Sequence, residues 1–128
     1  MQDTYELFGT EYGFKFTINA QQNICAGLPG HDIKRLPDVL QGDDGVVQLE
    51  MIKMIVIEMN KGYNAYCKFV LRDGEDHAEL DPDLLGCCDM ATLQDLLSHV
   101  MAVINNDQTQ TVQAEPVKRK NAKGAAKG

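Results

Sequence analysis

The sequence has no tryptophan, only eight aromatic residues, and no apolar run approaching the length of a membrane-spanning helix. A helix of that kind needs about 20 apolar residues. The opening Met1-Gln2-Asp3-Thr4-Tyr5-Glu6 has neither a basic region nor an apolar core, so no export signal is expected and the protein is placed in a cytoplasm. The four cysteines (Cys25, Cys67, Cys87, Cys88) show no CxxC spacing. Adjacent Cys87-Cys88 cannot close on itself without strain, so all four are expected as small buried hydrophobes. With no ligand pair at metal-binding spacing, neither a zinc site with His77 or His99 nor any cofactor is expected. No glycine-rich phosphate loop, HExxH or GxSxG occurs. Asp81, Asp83 and Asp89 lack the alternation and closing glutamate of a calcium loop. Asp43-Asp44, Glu75-Asp76 and Glu79 are loop acids without the burial that general acid–base work requires. The expectation is a protein that is not an enzyme.

What is present is acidic charge, unevenly spread. Residues 1–106 hold 7 Lys/Arg against 17 Asp/Glu, a balance of −10, and residues 107–128 carry +3, giving the net −7. An acidic body argues against nucleic-acid binding by the folded part. The end, rich in Lys, Gln, Ala and Gly, reads as a disordered basic tail. A chain of 128 residues is long enough for one core without metal or disulfide staples, so the division is a hairpin-plus-helical domain over 1–106 and a tail over 107–128.

The densest apolar run lies between Asp43 and Gly62. It is too long for an ordinary strand and rich in Met, Leu, Glu, Gln and Lys, which favour helix. Asp43 or Asp44 can cap its start, and Gly62 suits the position just past its last turn. Glu50, Lys53, Asn60 and Lys61 form a thin polar arc on an otherwise apolar helix.

Ahead of it, Tyr5 to Phe8 and Glu11 to Ile18 read as a hairpin with Gly9-Thr10 as a type II′ connection. Tyr12, Phe14, Phe16 and Ile18 alternate onto one face. Five of the eight aromatics lie in this segment. Asn19 is placed as the cap of a helix over Ala20 to Ala26, stopped by Gly27. Asp32 to Leu40 is helix-like, with a break expected after Leu36 because of Pro37. Ile33, Leu36 and Leu40 still share a face. Tyr63 to Leu71 reads as helix with Tyr63, Tyr66, Cys67, Val70 and Leu71 inward, or as a strand entering a turn at Asp73-Gly74; the helix followed by an acidic loop is preferred. Asp81-Pro82 begins a short helix that fades near Gly86. Thr92 opens the last helix with a capping-box-like pattern, Leu93, Leu96, Leu97, Val100, Met101, Val103 and Ile104 form its stripe, and Asn105-Asn106-Asp107 ends it. His99 lies off the stripe and is expected to face solvent. The fold class is therefore α+β, mostly α: an N-terminal β-hairpin, then a compact bundle of short helices.

The layout resembles the tail assembly chaperones of long-tailed bacteriophages. The likeness rests on the hairpin ending Glu11-Tyr12-Gly13-Phe14-Lys15-Phe16-Thr17-Ile18-Asn19-Ala20, the Met59-Asn60-Lys61-Gly62-Tyr63 junction, the leucine-rich last helix and the Lys/Ala/Gly-rich ending Lys118 to Gly128. It spans the chain but involves no diagnostic motif, and the Asp73-Gly74 segment is longer and more acidic than the family pattern. The resemblance implies a holdase for the tape measure protein, partnership with the tail tube protein, self-association, a host-cell cytoplasmic setting and a longer form made by ribosomal frameshifting. Flexible methionines suit a groove for a varied helical client, though apolar stripes ordinarily fill a core. Met51, Met54, Ile55, Met59 and Met101 are the candidate partner-binding residues. The alternative is a small acidic inhibitor or adaptor that binds a host protein, by adding its hairpin to a target sheet or by mimicking nucleic acid.

Overall fold

Apolar residues that repeat at helical spacing make helices, and the computed structural model, which describes residues 4–114, is α+β and mostly α. Strands β1 (Thr4–Leu7) and β2 (Thr10–Gly13) form an antiparallel hairpin in which Tyr5 faces Tyr12 and Leu7 faces Thr10. The connection is thus Phe8-Gly9, not Gly9-Thr10. Both residues have positive φ, 51° and 80°, which is the type I′ combination rather than II′. Leu7, Tyr12 and Phe14 are buried against the helices. The alternation then stops short of its expected end, because Ile18 starts a helix and points outward.

Residues 14–17 run extended between two later helices. The Lys15 N–H donates to Met59 O at 3.0 Å and the Phe16 N–H to the Asp107 carboxylate at 3.0 Å. Helix α1 (Ile18–Ala26) follows, capped by the Thr17 hydroxyl, which accepts from Ala20 N; Asn19, the expected cap, lies one position inside the helix. Gly27 ends it as expected. Two 3₁₀ turns, Pro29–His31 and Ile33–Arg35, lead to α2 (Leu36–Leu40). Pro37 sits in the first turn of α2, where its missing N–H has no partner to lose, so the break falls before Leu36 rather than after it.

Helix α3 (Gly45–Tyr66) is the centre of the molecule. Asp44 caps it by accepting from Val46 N and Val47 N, and it touches β2, α1, α2 and both later helices. Its buried face carries Met51, Ile52, Ile55, Val56 and Met59. Two expectations about it fail for the same reason, the close approach of the 13–17 segment. Gly62 does not end the helix; a Cβ there would lie 2.6 Å from Lys15 O and 2.9 Å from Thr17 Oγ1. Asn60 is not on a wet stripe but 2% exposed; its amide donates to Gly13 O (3.0 Å) and its oxygen accepts from Leu80 N (2.9 Å). A buried amide is tolerated when both ends are paired.

Past Tyr66 the helix widens into a π turn, Cys67–Leu71, closed by Arg72 N donating to Cys67 O at 2.8 Å. Arg72 is left-handed (φ 51°), and the chain then crosses to Leu80 without regular structure. Helix α4 (Pro82–Gly86) starts at the Asp81 cap as expected. Helix α5 (Met90–Ala114) starts earlier and ends later than its sequence suggests. Asp89, accepting from Thr92 N at 2.7 Å, is the cap in place of Thr92. Asn105-Asn106-Asp107 does not stop the helix: these residues cost only about 0.5 kcal/mol each in propensity, and the contact with Phe16 N holds Asp107 in place. The tail beyond residue 114 lies outside the described residues. Among the described residues no helix is long and apolar enough to cross a membrane.

Candidate functional site

The five residues singled out as a partner surface are mostly occupied by the fold. Met51, Ile55 and Met59 are buried in the core, and Met54 and Met101 pack half-buried against it. The tips of Met54 and Met51 lie under Gly27 at the end of α1, at 3.0 and 3.9 Å from where a Cβ would sit. Met101 borders a small hollow with Ile33, Leu36 and Ile104. No surface joins the five.

Exposed apolar residues gather elsewhere. The wider π turn carries Phe69, Val70 and Leu71 away from the core, where Val70 and Leu71 were expected to point inward; Phe69 and Val70 are 67% and 60% exposed. Across from them stands Ile18, 84% exposed, at the start of α1. Between lies an open groove of about 640 Å³ floored by Ala20, Gly62, Ala65 and Tyr66. Three of those four side chains are small or absent, which leaves room above the floor for a guest side chain. One rim is polar: Asn23 donates to Glu58 (2.9 Å), and Lys61 stands 3.6 Å from the same carboxylate. Lys15 lies over the Tyr66 ring, 4.5 Å from its centroid. The result is an apolar trough edged by hydrogen-bonding groups, a shape that can receive an apolar ligand or segment. A second exposed apolar group, Val46 and Met90, flanks another open hollow between the starts of α3 and α5.

A different chemistry collects just behind the π turn. Cys67 is buried, and the loop after Arg72 folds Asp73 and His77 back toward it, so that one donor atom from each lies within 4.8 Å of the others. His77 Nε2 is 2.8 Å from Asp73 Oδ2, while Glu75 N donates to Asp73 Oδ1 at 3.0 Å. The Glu75 N–H, then the His77 ring, hold the Asp73 carboxyl below the usual range. Burial pushes the Cys67 thiol up, against a side-chain hydrogen bond with Tyr63. The Tyr63 ring also meets the His77 ring edge-on, centroids 5.6 Å apart. Cys67 and His77 are ten positions apart and show no ligand spacing, so sequence reading could not join them. Of the other cysteines, Cys25 and Cys88 are half-buried and Cys87 is exposed, contrary to the expectation for all four; all are free thiols.

His99 departs from its expected place too. It is half-buried, with Tyr5 and Phe14 rings at 5.5 and 6.0 Å. Beside it the Tyr5 hydroxyl donates to Asp95 at 2.6 Å, fastening the hairpin to α5; that hydrogen bond, with burial and the Asp95 charge, pushes the phenol up to about 12. No family model, curated protein or solved structure matches the chain.

Proposed function

We propose that the protein is a tail assembly chaperone of a long-tailed phage, which binds the tape measure protein and keeps it soluble in the host-cell cytoplasm while tail tube subunits assemble. It acts by binding, without chemistry of its own. The observation that supports this reading is the trough between Ile18 and Phe69–Val70. Contiguous exposed apolar side chains on a small domain mark a place where something docks. An amphipathic helix fits such a trough with anchors spaced three and four residues apart, and the tape measure protein implied by the family resemblance is a long helical client. The acidic body favours clients that flank their apolar stripe with Lys and Arg.

Co-expression of a tape measure fragment with the chain tests this. The fragment is expected to move into the soluble fraction with the wild-type chain, and to stay insoluble with Phe69→Ser/Val70→Ser, whose melting temperature should be close to wild type. Unchanged solubility with the wild-type chain defeats the holdase reading. A mass in light scattering that rises with concentration accords with self-association; a constant monomer mass with steeply salt-sensitive binding to a basic partner favours the acidic-inhibitor alternative.

A further inference from the structure

We propose that Cys67, Asp73 and His77 form a binding site for a zinc-class divalent transition-metal ion. Three side chains of different donor type converge with their ligand atoms within 4.8 Å of one another. Around a tetrahedral zinc, with bonds of about 2.0–2.3 Å, donors of this kind stand about 3.3–3.6 Å apart. The cluster reaches that spacing by two movements: the 2.8 Å contact between His77 and Asp73 opens by about half an ångström, and the wider separations, within 4.8 Å, close by up to about an ångström around the ion. Thiolate, imidazole and carboxylate together select a zinc-like ion over magnesium or calcium, which prefer oxygen alone. Three protein ligands leave a fourth position for water or a nearby carboxylate such as Glu75.

The surroundings are those of supported ligands. Metal-bound side chains are oriented by partners behind them. Here the Glu75 N–H holds the Asp73 oxygen that faces away from His77, and the Tyr63 ring braces His77. The two cations lining the same hollow turn toward Phe69: Lys68 lies over its ring at 5.3 Å and Arg72 Nε donates to its carbonyl at 3.4 Å. A dication binds a cysteine as its thiolate, so the Cys67 proton is released to solvent on binding. One thiolate and one carboxylate then neutralise the ion. The backbone goes to some length to build the cluster, with a π turn and a left-handed arginine in succession, and such features gather at functional positions. Bound metal would staple the 72–80 loop to the end of α3, behind the exposed Phe69–Leu71 surface. The site stands independently of the chaperone reading.

The test uses the untagged full chain, stripped of metal, with Co²⁺ as the spectroscopic probe and Zn²⁺ as competitor. One Co²⁺ should bind per chain with a thiolate-to-cobalt charge-transfer band, Zn²⁺ should abolish the band, and Zn²⁺ should raise the melting temperature. His77→Gln and Asp73→Asn, both on the loop, should remain folded by circular dichroism yet bind more weakly by at least on the order of 10–100-fold, the loss seen when even an outer partner is removed. Cys67→Ser should lose the band. The double variant Cys87→Ser/Cys88→Ser should bind as the wild type does. No band at millimolar Co²⁺, a band that survives His77→Gln and Asp73→Asn unchanged, or one lost with the Cys87/Cys88 pair overturns the proposal. Should Cys67→Ser unfold, the two loop variants decide it.

Discussion

Replacing Asn60 by leucine tests whether one buried amide holds three separate segments together. Leucine has nearly the same size and shape but neither donor nor acceptor. The substitution therefore leaves the Gly13 carbonyl and the Leu80 N–H without the partners they have at 3.0 and 2.9 Å. Asn60 is 2% and Leu80 6% exposed, so water does not readily replace the lost partner. Each orphaned buried group costs about 1–3 kcal/mol. Against this, leucine gains about 0.5 kcal/mol in helix propensity and about 1 kcal/mol from added apolar burial. The expected net loss is about 0.5–4.5 kcal/mol. Urea unfolding followed by circular dichroism should show the midpoint falling with an unchanged slope, since the surface exposed on unfolding stays the same. Asn60→Asp is a sharper version. It keeps an acceptor for Leu80 N but turns an oxygen toward Gly13 O and buries a charge. Burial raises the folded-state pKa of the new carboxyl, so the ionisation penalty develops as pH rises above its unfolded value. Its deficit should accordingly be smaller near pH 4 than at pH 7. Stability of Asn60→Leu within about 0.5 kcal/mol of wild type would refute the argument.

Gly62→Ala should destabilise by about 1–3 kcal/mol despite alanine's advantage of about 1 kcal/mol inside a helix, because its methyl meets the Lys15 carbonyl; a raised urea midpoint would contradict that close approach. Met59→Ala, at a fully buried position, should cost about 2–5 kcal/mol, and a melting temperature near wild type would show that the side chain is not part of the core. Tyr5 donates to Asp95, and its folded-state pKa is raised above 10 to about 12. Its contribution is present in full below pH 10 and disappears as pH rises toward 12. In an ultraviolet titration the last tyrosine to ionise should vanish in Tyr5→Phe; an unaltered curve would mean the hydrogen bond does not persist in solution.

Features set by neighbouring residues were legible in the sequence. Asp44 before an apolar run, Asp81-Pro82, Gly27 after a short helix and the strand alternation through Phe14 act within a few positions, and periodicity finds the faces they organise. The central helix and the last stripe follow from the same rule. What escaped depends on distant segments meeting. Asn60 looks polar and therefore wet until Gly13 and Leu80 arrive to pair with it. Gly62 looks like a helix end until Lys15 and Thr17 lie against it. Asn105 to Asp107 look like a stop until Phe16 supplies a partner. The flexibility of the methionines suggests a surface role, whereas Met51 and Met54 lie against the end of α1, Met59 is buried in the core and Met101 packs near Ile33 and Leu36. The trough was missed because its exposed side depends on a π turn, and nothing local in Cys67 to Leu71 announces one.

That turn divides the helix in a way that bears on how the protein can change over generations. Each residue of an ordinary helix advances the side-chain direction by about 100°, and widening one turn shifts the phase of everything after it. Up to Tyr66 a substitution on the apolar face is answered by the core; from Phe69 to Leu71 the side chains are exposed and the core places little demand on them. These three positions can therefore change at little cost in stability, whereas changes at Ile55 and Met59 are felt in packing. A one-residue deletion inside the turn would restore the ordinary phase and swing part of this apolar surface toward the core, remodelling the outer surface with few changes of sequence.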